Sequence, residues 1–289
     1  MTIFNMDQWR QHVALDVGTA TTRIATGSCG MLELPSRIGS RKALRDGVIV
    51  DPDAAFRILQ PVIERRRVFG MVKPSILGCA PSDATAEERQ LLMDSIMKAG
   101  AAAVSIIPEP LAAAVGANLD VSSPYAQMVV DIGDGVTDCA VLRSGKVVAS
   151  YALRGGCCRM RQAVVTAVES VQKTVLHEEE ADLLLRGCGT SRPEEHAAGA
   201  TAAAALVPVL EEIADGIDSF IRDLPNDIGC DVIYSGICLT GGGALIPGLR
   251  RLLEERTGVG VCTAVNPRGA VVEGARAILP VVVMLNRWK

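Results

Sequence analysis

The sequence predicts an α/β protein of two lobes, and three observations carry that expectation. A strand-turn-strand pattern occurs twice in matching form, and each copy is followed by alternating helix and strand patterns. Apolar residues make up 49% of the 289-residue chain, yet aromatic residues only 3%. That is the composition of helix-covered sheets rather than of an aromatic-rich β-sandwich.

The first copy is A-L-D-V-G-T-A-T-T-R-I-A, from Ala14, and the second is V-V-D-I-G-D-G-V-T-D-C-A, from Val129. Both read as two apolar residues, Asp, an apolar residue, Gly, three variable residues and Thr. Asp16 matches Asp131, Gly18 matches Gly133 and Thr22 matches Thr137, each pair 115 positions apart. Gly30 and Gly145 keep the same offset and suit a turn after the next strand. Between the copies, 52–68 reads as an amphipathic helix and 75–79 as a short buried strand. A capping box, Thr85-x-x-Glu88, opens a helix over 85–99 that Gly100 stops. Residues 104–107 read as a strand and 110–117 as a helix that starts on proline. After the second copy, 159–176, 178–186 and 201–224 read as helices and 233–239 as a strand. A helix over 245–257 follows a glycine turn. The expected lobes are 10–152 with 271–289, and 153–270.

Net charge is −4, which implies no nucleic-acid surface. The nine cysteines are irregularly spaced, with a vicinal pair at Cys157 and Cys158, and read as reduced thiols of a cytoplasmic protein. His12, His177 and His196 are too scattered for a zinc site. Nothing reads as a signal peptide or a membrane span. At the start, Met1, Ile3, Phe4, Met6 and Trp9 would cluster on a helix. At the end, an apolar run from Ile278 closes on Arg287, Trp288 and Lys289. Either end reads as a peripheral membrane contact or as a terminus packed on the domain or frayed.

Two facing hairpins of this kind form a clamp for a di- or triphosphate. Successive backbone N–H groups make an anion-binding nest, to which threonine hydroxyls add donors. Carboxylates repel phosphate, so Asp16 and Asp131 imply a cation between them, and Mg²⁺ with its retained waters fits. Structural hairpins with Asp as a turn residue are the competing reading. In L-T-G-G-G-A-L-I-P-G-L, from Leu239, the glycines Gly241, Gly242 and Gly243 would let a flat group approach the backbone. A tight turn there would need only one or two of them. Glu109, in I-P-E-P-L-A-A-A-V-G from Ile107, is held between prolines and could orient a water. A surface carboxylate favoured by the helix dipole is the alternative.

These four motifs, in their order along the chain (first hairpin, Ile107 segment, second hairpin, Leu239 segment), resemble the ATPase superfamily of actin, Hsp70 and the sugar kinases. Segments 43–51 (A-L-R-D-G-V-I-V-D) and 236–245 (G-I-C-L-T-G-G-G-A-L) are most similar to the MreB bacterial actins. The resemblance implies an actin-like ATPase fold, with duplicated RNase H-like lobes and a nucleotide cleft between them, and ATP and Mg²⁺ as ligands. It implies that Asp16 and Asp131 organise the metal and its waters, and that Glu109 positions the attacking water. Gly18, Thr19, Ala20 and Thr21 would form the first phosphate turn, and Gly133, Asp134, Gly135, Val136 and Thr137 the second. Gly241, Gly242 and Gly243 would lie against the adenosine. Asp134, where glycine is usual in MreB, is actin-like and could join the metal's water shell.

The departures are also specific. Outer subdomains IB and IIB are largely missing, since only 34–45 and 187–199 stand where they belong. The family's ribose-binding Glu and nearby Lys align with Asp182 and Leu185. Arg186 stacks on adenine or is a solvated helix-end arginine. The family's G-G-D is Gly155, Gly156 and Cys157. Two functions compete: a filament-forming ATPase of cell shape or intracellular organisation, and a non-polymerising ATP-switched factor resembling the ethanolamine-utilisation protein EutJ. The partner proteins of either are unknown. A sugar or acid kinase would need a dedicated substrate pocket, for which no residues stand out.

Overall fold

The computed structural model describes residues 11–26, 30–173, 175–187 and 197–286. The N-terminal apolar cluster, residues 287–289 and most of the 187–199 stretch lie outside the described residues.

Strands β1 (His12–Val17), β2 (Thr21–Thr26) and β3 (Leu32–Pro35) form an antiparallel meander. Two small hairpins follow, β4 (Arg37–Ile38) with β5 (Arg41–Lys42) and β6 (Leu44–Arg45) with β7 (Val48–Ile49). They occupy the position at which the first outer subdomain was expected to be reduced. Asp51 then caps α1 (Pro52–Glu64), accepting from the Ala54 N–H. β8 (Ser75–Ala80) adds parallel to β1. The predicted capping box is formed at α2 (Ala86–Lys98), with Thr85 and Glu88 each bonding the other's backbone. β9 (Ala103–Pro108) extends the sheet in parallel and runs straight into α3 (Glu109–Gly116). The sheet order is β3-β2-β1-β8-β9.

The second unit repeats this plan. β10 (Gln127–Ile132), β11 (Thr137–Arg143) and β12 (Lys146–Leu153) form the meander. Helices α4 (Cys157–Gln172), α5 (Glu178–Gly187), α6 (Ala197–Arg222) and α7 (Asn226–Ser235) come next. β13 (Ile237–Thr240) adds parallel to β10, α8 (Leu249–Thr257) follows, and β14 (Val261–Thr263) completes the order β12-β11-β10-β13-β14. α9 (Ala270–Asn286) returns to the first unit and lies on β1, β2 and β8.

Each sheet alternates its faces along the strands. Val13, Leu15 and Val17 enter a core with Leu59, Ile63, Leu92 and Ile96 of α1 and α2. In the second unit, Met128, Val130 and Ile132 meet Met160, Val164, Leu206, Leu210 and Ile213 of α4 and α6. The period of two leaves Asp16 and Asp131 on the opposite face of their own strands, at the carboxyl end.

Several expectations are corrected. The units are Met1–Asn118 with Gly269–Lys289, and Leu119–Arg268, so the second hairpin belongs with the second unit and not with the first. The reason is β-pairing: β10 takes its parallel neighbour β13 from the later part of the chain. Residues 233–235 end α7 rather than begin a strand, because Gly236, at φ 82°, closes the helix through its N–H to Val232 O. A short apolar run does not by itself distinguish a helix end from a buried strand. Over 245–257, the helix begins only at Leu249. A 3₁₀ turn (Gly243–Leu245) comes first, and Pro247 with Gly248 (φ 85°) separates the two. The apolar run at 278–286 is the second half of α9, which carries Pro280 inside it.

α3 and α9 cross at a pair of glycines. A Cβ on Gly116 would fall on the Ala270 carbonyl and one on Gly274 on the Ala112 carbonyl, closer than real Cβ atoms approach. Ala112, Ala113 and Ala114 are fully buried beside this crossing. Gly274→Val is therefore expected to cost at least about 1–3 kcal/mol, the usual range for overpacking. Thermal unfolding checks this, with an unchanged midpoint as the contrary result.

Candidate phosphate turns and acidic strand ends

The two hairpin turns are built alike. In the first, the Gly18 N–H bonds Thr21 O at 3.2 Å, and a Cβ on Gly18 would stand 2.9 Å from that oxygen. Ser36 ties the turn from behind. Its Oγ donates to Gly18 O at 2.6 Å and its N–H to Ala20 O at 2.9 Å. Because the Ser36 proton is used there, Thr22 Oγ1 donates to Ser36 Oγ at 2.9 Å. Thr19 Oγ1 accepts from the Gly47 N–H at 2.9 Å, which fixes the turn against the β6–β7 hairpin. The N–H groups of Thr19 and Ala20 have no acceptor among the described residues.

In the second turn, the Gly133 N–H bonds Val136 O at 2.9 Å. Here the start of α4 takes the place of Ser36. The Cys157 N–H donates to Gly133 O at 3.1 Å and the Cys158 N–H to Asp134 O at 2.9 Å. Gly156 permits this approach, since a Cβ there would collide with Gly133 O. The N–H groups of Asp134, Gly135 and Val136 have no acceptor among the described residues, although Gly135 and Val136 are buried. Buried N–H groups are normally paired. Two turns with carbonyls tied back and N–H groups left to donate have the donor set that an anion requires.

Threonine hydroxyls contribute less than expected. Thr137 is buried and its Oγ1 donates inward to Gly155 O at 3.0 Å, so it offers a phosphate no hydroxyl proton. Thr21 has a partly exposed side chain at the start of β2.

The carboxylates sit at strand ends. Asp16 is 5% exposed and lies opposite Arg23, whose Nη1 is 3.4 Å away. Arg23 Nε also bonds Glu33 at 2.9 Å. Burial pushes the Asp16 carboxyl up, and Arg23 offsets only part of that rise. A cation beside Asp16 would reverse it. Asp131 is 6% exposed and accepts from Thr240 Oγ1 at 2.7 Å. It lies opposite the buried Asp138, which occupies the position that Arg23 has in the first copy. Among the described residues no three His, Cys, Asp or Glu side chains gather to hold a metal by themselves. One carboxylate per turn, completed by waters and phosphates, suits Mg²⁺. Glu109 is the first residue of α3, directly after Pro108. β1, β8 and β9 are parallel, so Asp16 and Glu109 share the carboxyl edge of one sheet, with β8 between their strands. Ligands of α/β sheets bind outside such edges.

The glycine triplet divides by role. Gly241, at φ 79°, and Gly243 pack so closely on Ile132 that a Cβ on either would collide with it. A Cβ on Gly242 would meet nothing within 4 Å. Two of the three glycines thus serve the turn itself, and Gly242 alone leaves space for a ligand. Gly242→Ala is expected to fold normally and to weaken adenosine binding several-fold. Gly241→Ala should lower the melting temperature instead, and the reverse pattern would refute this division.

Asp134 does not stand free for a metal. Its Oδ1 meets Arg161 Nη2 at 2.6 Å, with both side chains 15% exposed. Arg161 Nη1 lies 3.6 Å from Asp182 Oδ1, and Arg186 Nε bonds Asp182 Oδ2 at 2.6 Å. Burial opposes the charge on Arg161, but the Asp134 carboxylate together with Cys157 and Asp182 raises its pKa above the usual value. The Arg186 head is thus held along α5 by Asp182. Cys157, in the place of the family's Asp, is a buried thiol pushed up to about 12 by burial and then by Asp134. Ser36 and Arg161 lie in no sequence motif. Thr240 lies in the glycine motif from Leu239, and Arg23 and Asp138 follow the paired threonines of the repeat, but nothing in those motifs marks a role for any of the three.

Two sheets of one topology, each founded on an Asp-Gly hairpin, define an actin-like protein. The comparisons with known proteins make that specific. Residues 31–203 and 198–287 match the family model for MreB/Mbl protein. The chain is 33% identical over 272 residues to the cell shape-determining protein MreB of Escherichia coli K12, covering 86% of this chain and 78% of that one. Its fold is similar to MreB 5 of Spiroplasma citri bound to AMPPNP, with a TM-score of 0.86, 20% identity and coverage of 96% and 98% of the two chains. A MamK double helical filament matches with a TM-score of 0.81, 17% identity and coverage of 93% and 98%. The chain belongs to the MreB/Mbl family of bacterial actin homologues. Among its described residues no helix is long and apolar enough to cross a membrane.

Proposed function

We propose that this protein binds Mg-ATP, hydrolyses it slowly and assembles into filaments whose contacts respond to the nucleotide. The observation that carries the reading is the pair of matching turns, each with carbonyls tied back, N–H groups unengaged and a buried aspartate at the preceding strand end. Thr19 and Ala20 of the first turn, and Asp134, Gly135 and Val136 of the second, would donate N–H groups to nucleotide phosphates. Asp16 and Asp131 would hold waters of the metal, with Thr240 fixing the Asp131 rotamer. Bound Mg²⁺ would neutralise phosphate charge. Gly242 would admit the adenosine, and Asp182 and Arg186 would border it. Glu109 would orient a water and accept its proton.

Family membership supports the nucleotide, as does the AMPPNP-bound state of the Spiroplasma relative. The filament form of MamK supports assembly. Calorimetry with Mg-ATP, followed by sedimentation and electron microscopy with and without nucleotide, tests both parts. Absence of Mg-ATP binding would overturn the whole reading. Binding and turnover without pelleting or filaments would overturn assembly alone and identify a non-polymerising ATP-switched factor.

A further inference from the structure

An aspartate inside an anion-binding turn is a contradiction unless its charge is dealt with. Asp134 contributes one of the three unengaged N–H groups of the second turn, yet its carboxylate would repel the phosphate those groups attract. Arg161 stands one helical turn beyond the residues of α4 that bond the turn carbonyls. It takes the Asp134 carboxylate at 2.6 Å and comes within 3.6 Å of Asp182. Arg186 closes the series on Asp182 at 2.6 Å. Two carboxylates and two guanidinium groups alternate in one chain of contacts, so their charges cancel. α4 thus reaches the turn twice: its first N–H groups hold the carbonyls, and Arg161 holds the side chain.

We infer that Arg161 is a positioning residue that makes this acidic turn competent to bind phosphate. It cancels the Asp134 charge and keeps that carboxylate engaged with α4, so that it neither repels the nucleotide nor serves the metal. The inference rests on the proposed phosphate role of the turn. A guanidinium suits this task because two of its nitrogens can meet two carboxylates at once.

The test is a double-mutant cycle on the full-length protein, read by calorimetry with Mg-ATP, Mg-ADP and adenosine. Arg161→Gln is expected to weaken Mg-ATP about 10- to 100-fold, Mg-ADP less, and adenosine by less than about threefold. Adding Asp134→Asn to Arg161→Gln should bring Mg-ATP affinity back to within about threefold of wild type, because no charge then needs cancelling. Arg159→Gln removes the same charge from α4 at a side chain that pairs with Glu212 instead of Asp134, and should leave binding as in wild type. Thermal melts without nucleotide follow the same cycle: Arg161→Gln lowers the midpoint and Asp134→Asn restores it. If Arg161→Gln unfolds the protein, Arg161→Lys replaces it, with a smaller loss in the same direction.

Equal losses for adenosine and Mg-ATP would overturn the inference, as would a double variant no better than Arg161→Gln. So would an Asp134→Asn variant as damaging as Asp131→Asn, which would put Asp134 on the metal. Wild-type protein that binds no Mg-ATP would defeat the proposed function itself, and the inference with it.

Discussion

Glu109→Ala is expected to leave Mg-ATP affinity within about twofold of wild type and to slow hydrolysis about 10²- to 10⁴-fold, the usual contribution of a positioned general base. The carboxylate is held by two rings of fixed φ: Pro108 ends β9 and Pro110 is the second residue of α3. It shares the sheet edge of Asp16, one strand removed, and therefore stands roughly 10 Å away along the sheet at the usual strand spacing. That separation leaves room for a phosphate and a water between them. A carboxylate that merely favours the helix dipole would be worth about 0.3–1 kcal/mol of stability and nothing in turnover. Single-turnover hydrolysis and thermal melts on the same variant separate the two roles. Unchanged turnover would remove Glu109 from the chemistry.

Asp131→Asn is expected to weaken Mg-ATP about 10- to 100-fold, the range typical of residues that act on a metal from its outer sphere. Asparagine keeps an oxygen for the Thr240 hydroxyl, so the fold is preserved and only the charge is removed. Asp131 is buried at its strand end and faces the buried Asp138 across the hairpin. In the presence of a chelator, wild type and variant should bind nucleotide almost equally, because the aspartate acts through the metal. Calorimetry showing equal Mg-ATP affinity would contradict the metal role.

How far the sequence was legible depended on how local the signal was. The hairpin turns and the capping box at Thr85 were readable because their hydrogen bonds span three residues. The duplication was readable because two copies constrain one another. The missed features are contacts over longer separations. Ser36 reaches back to Gly18 and Ala20, Thr240 reaches Asp131 over 109 positions, and Arg161 reaches Asp134 over 27. No residue type announces such a partner. The unit boundary was misplaced for the same reason: which strand β10 joins is settled by β13, far along the chain.

The sequence by itself determined the two Asp-Gly hairpins, the alternation of helices and strands behind them, and membership of an actin-like superfamily. These follow from turn chemistry and hydrophobic period, which act on neighbours. Only the tertiary structure decided which groups of the turns are left to donate and which glycines are bound by packing. It also decided where Asp134 spends its charge, because burial and pairing of polar groups depend on segments that approach one another only once the sheets are assembled.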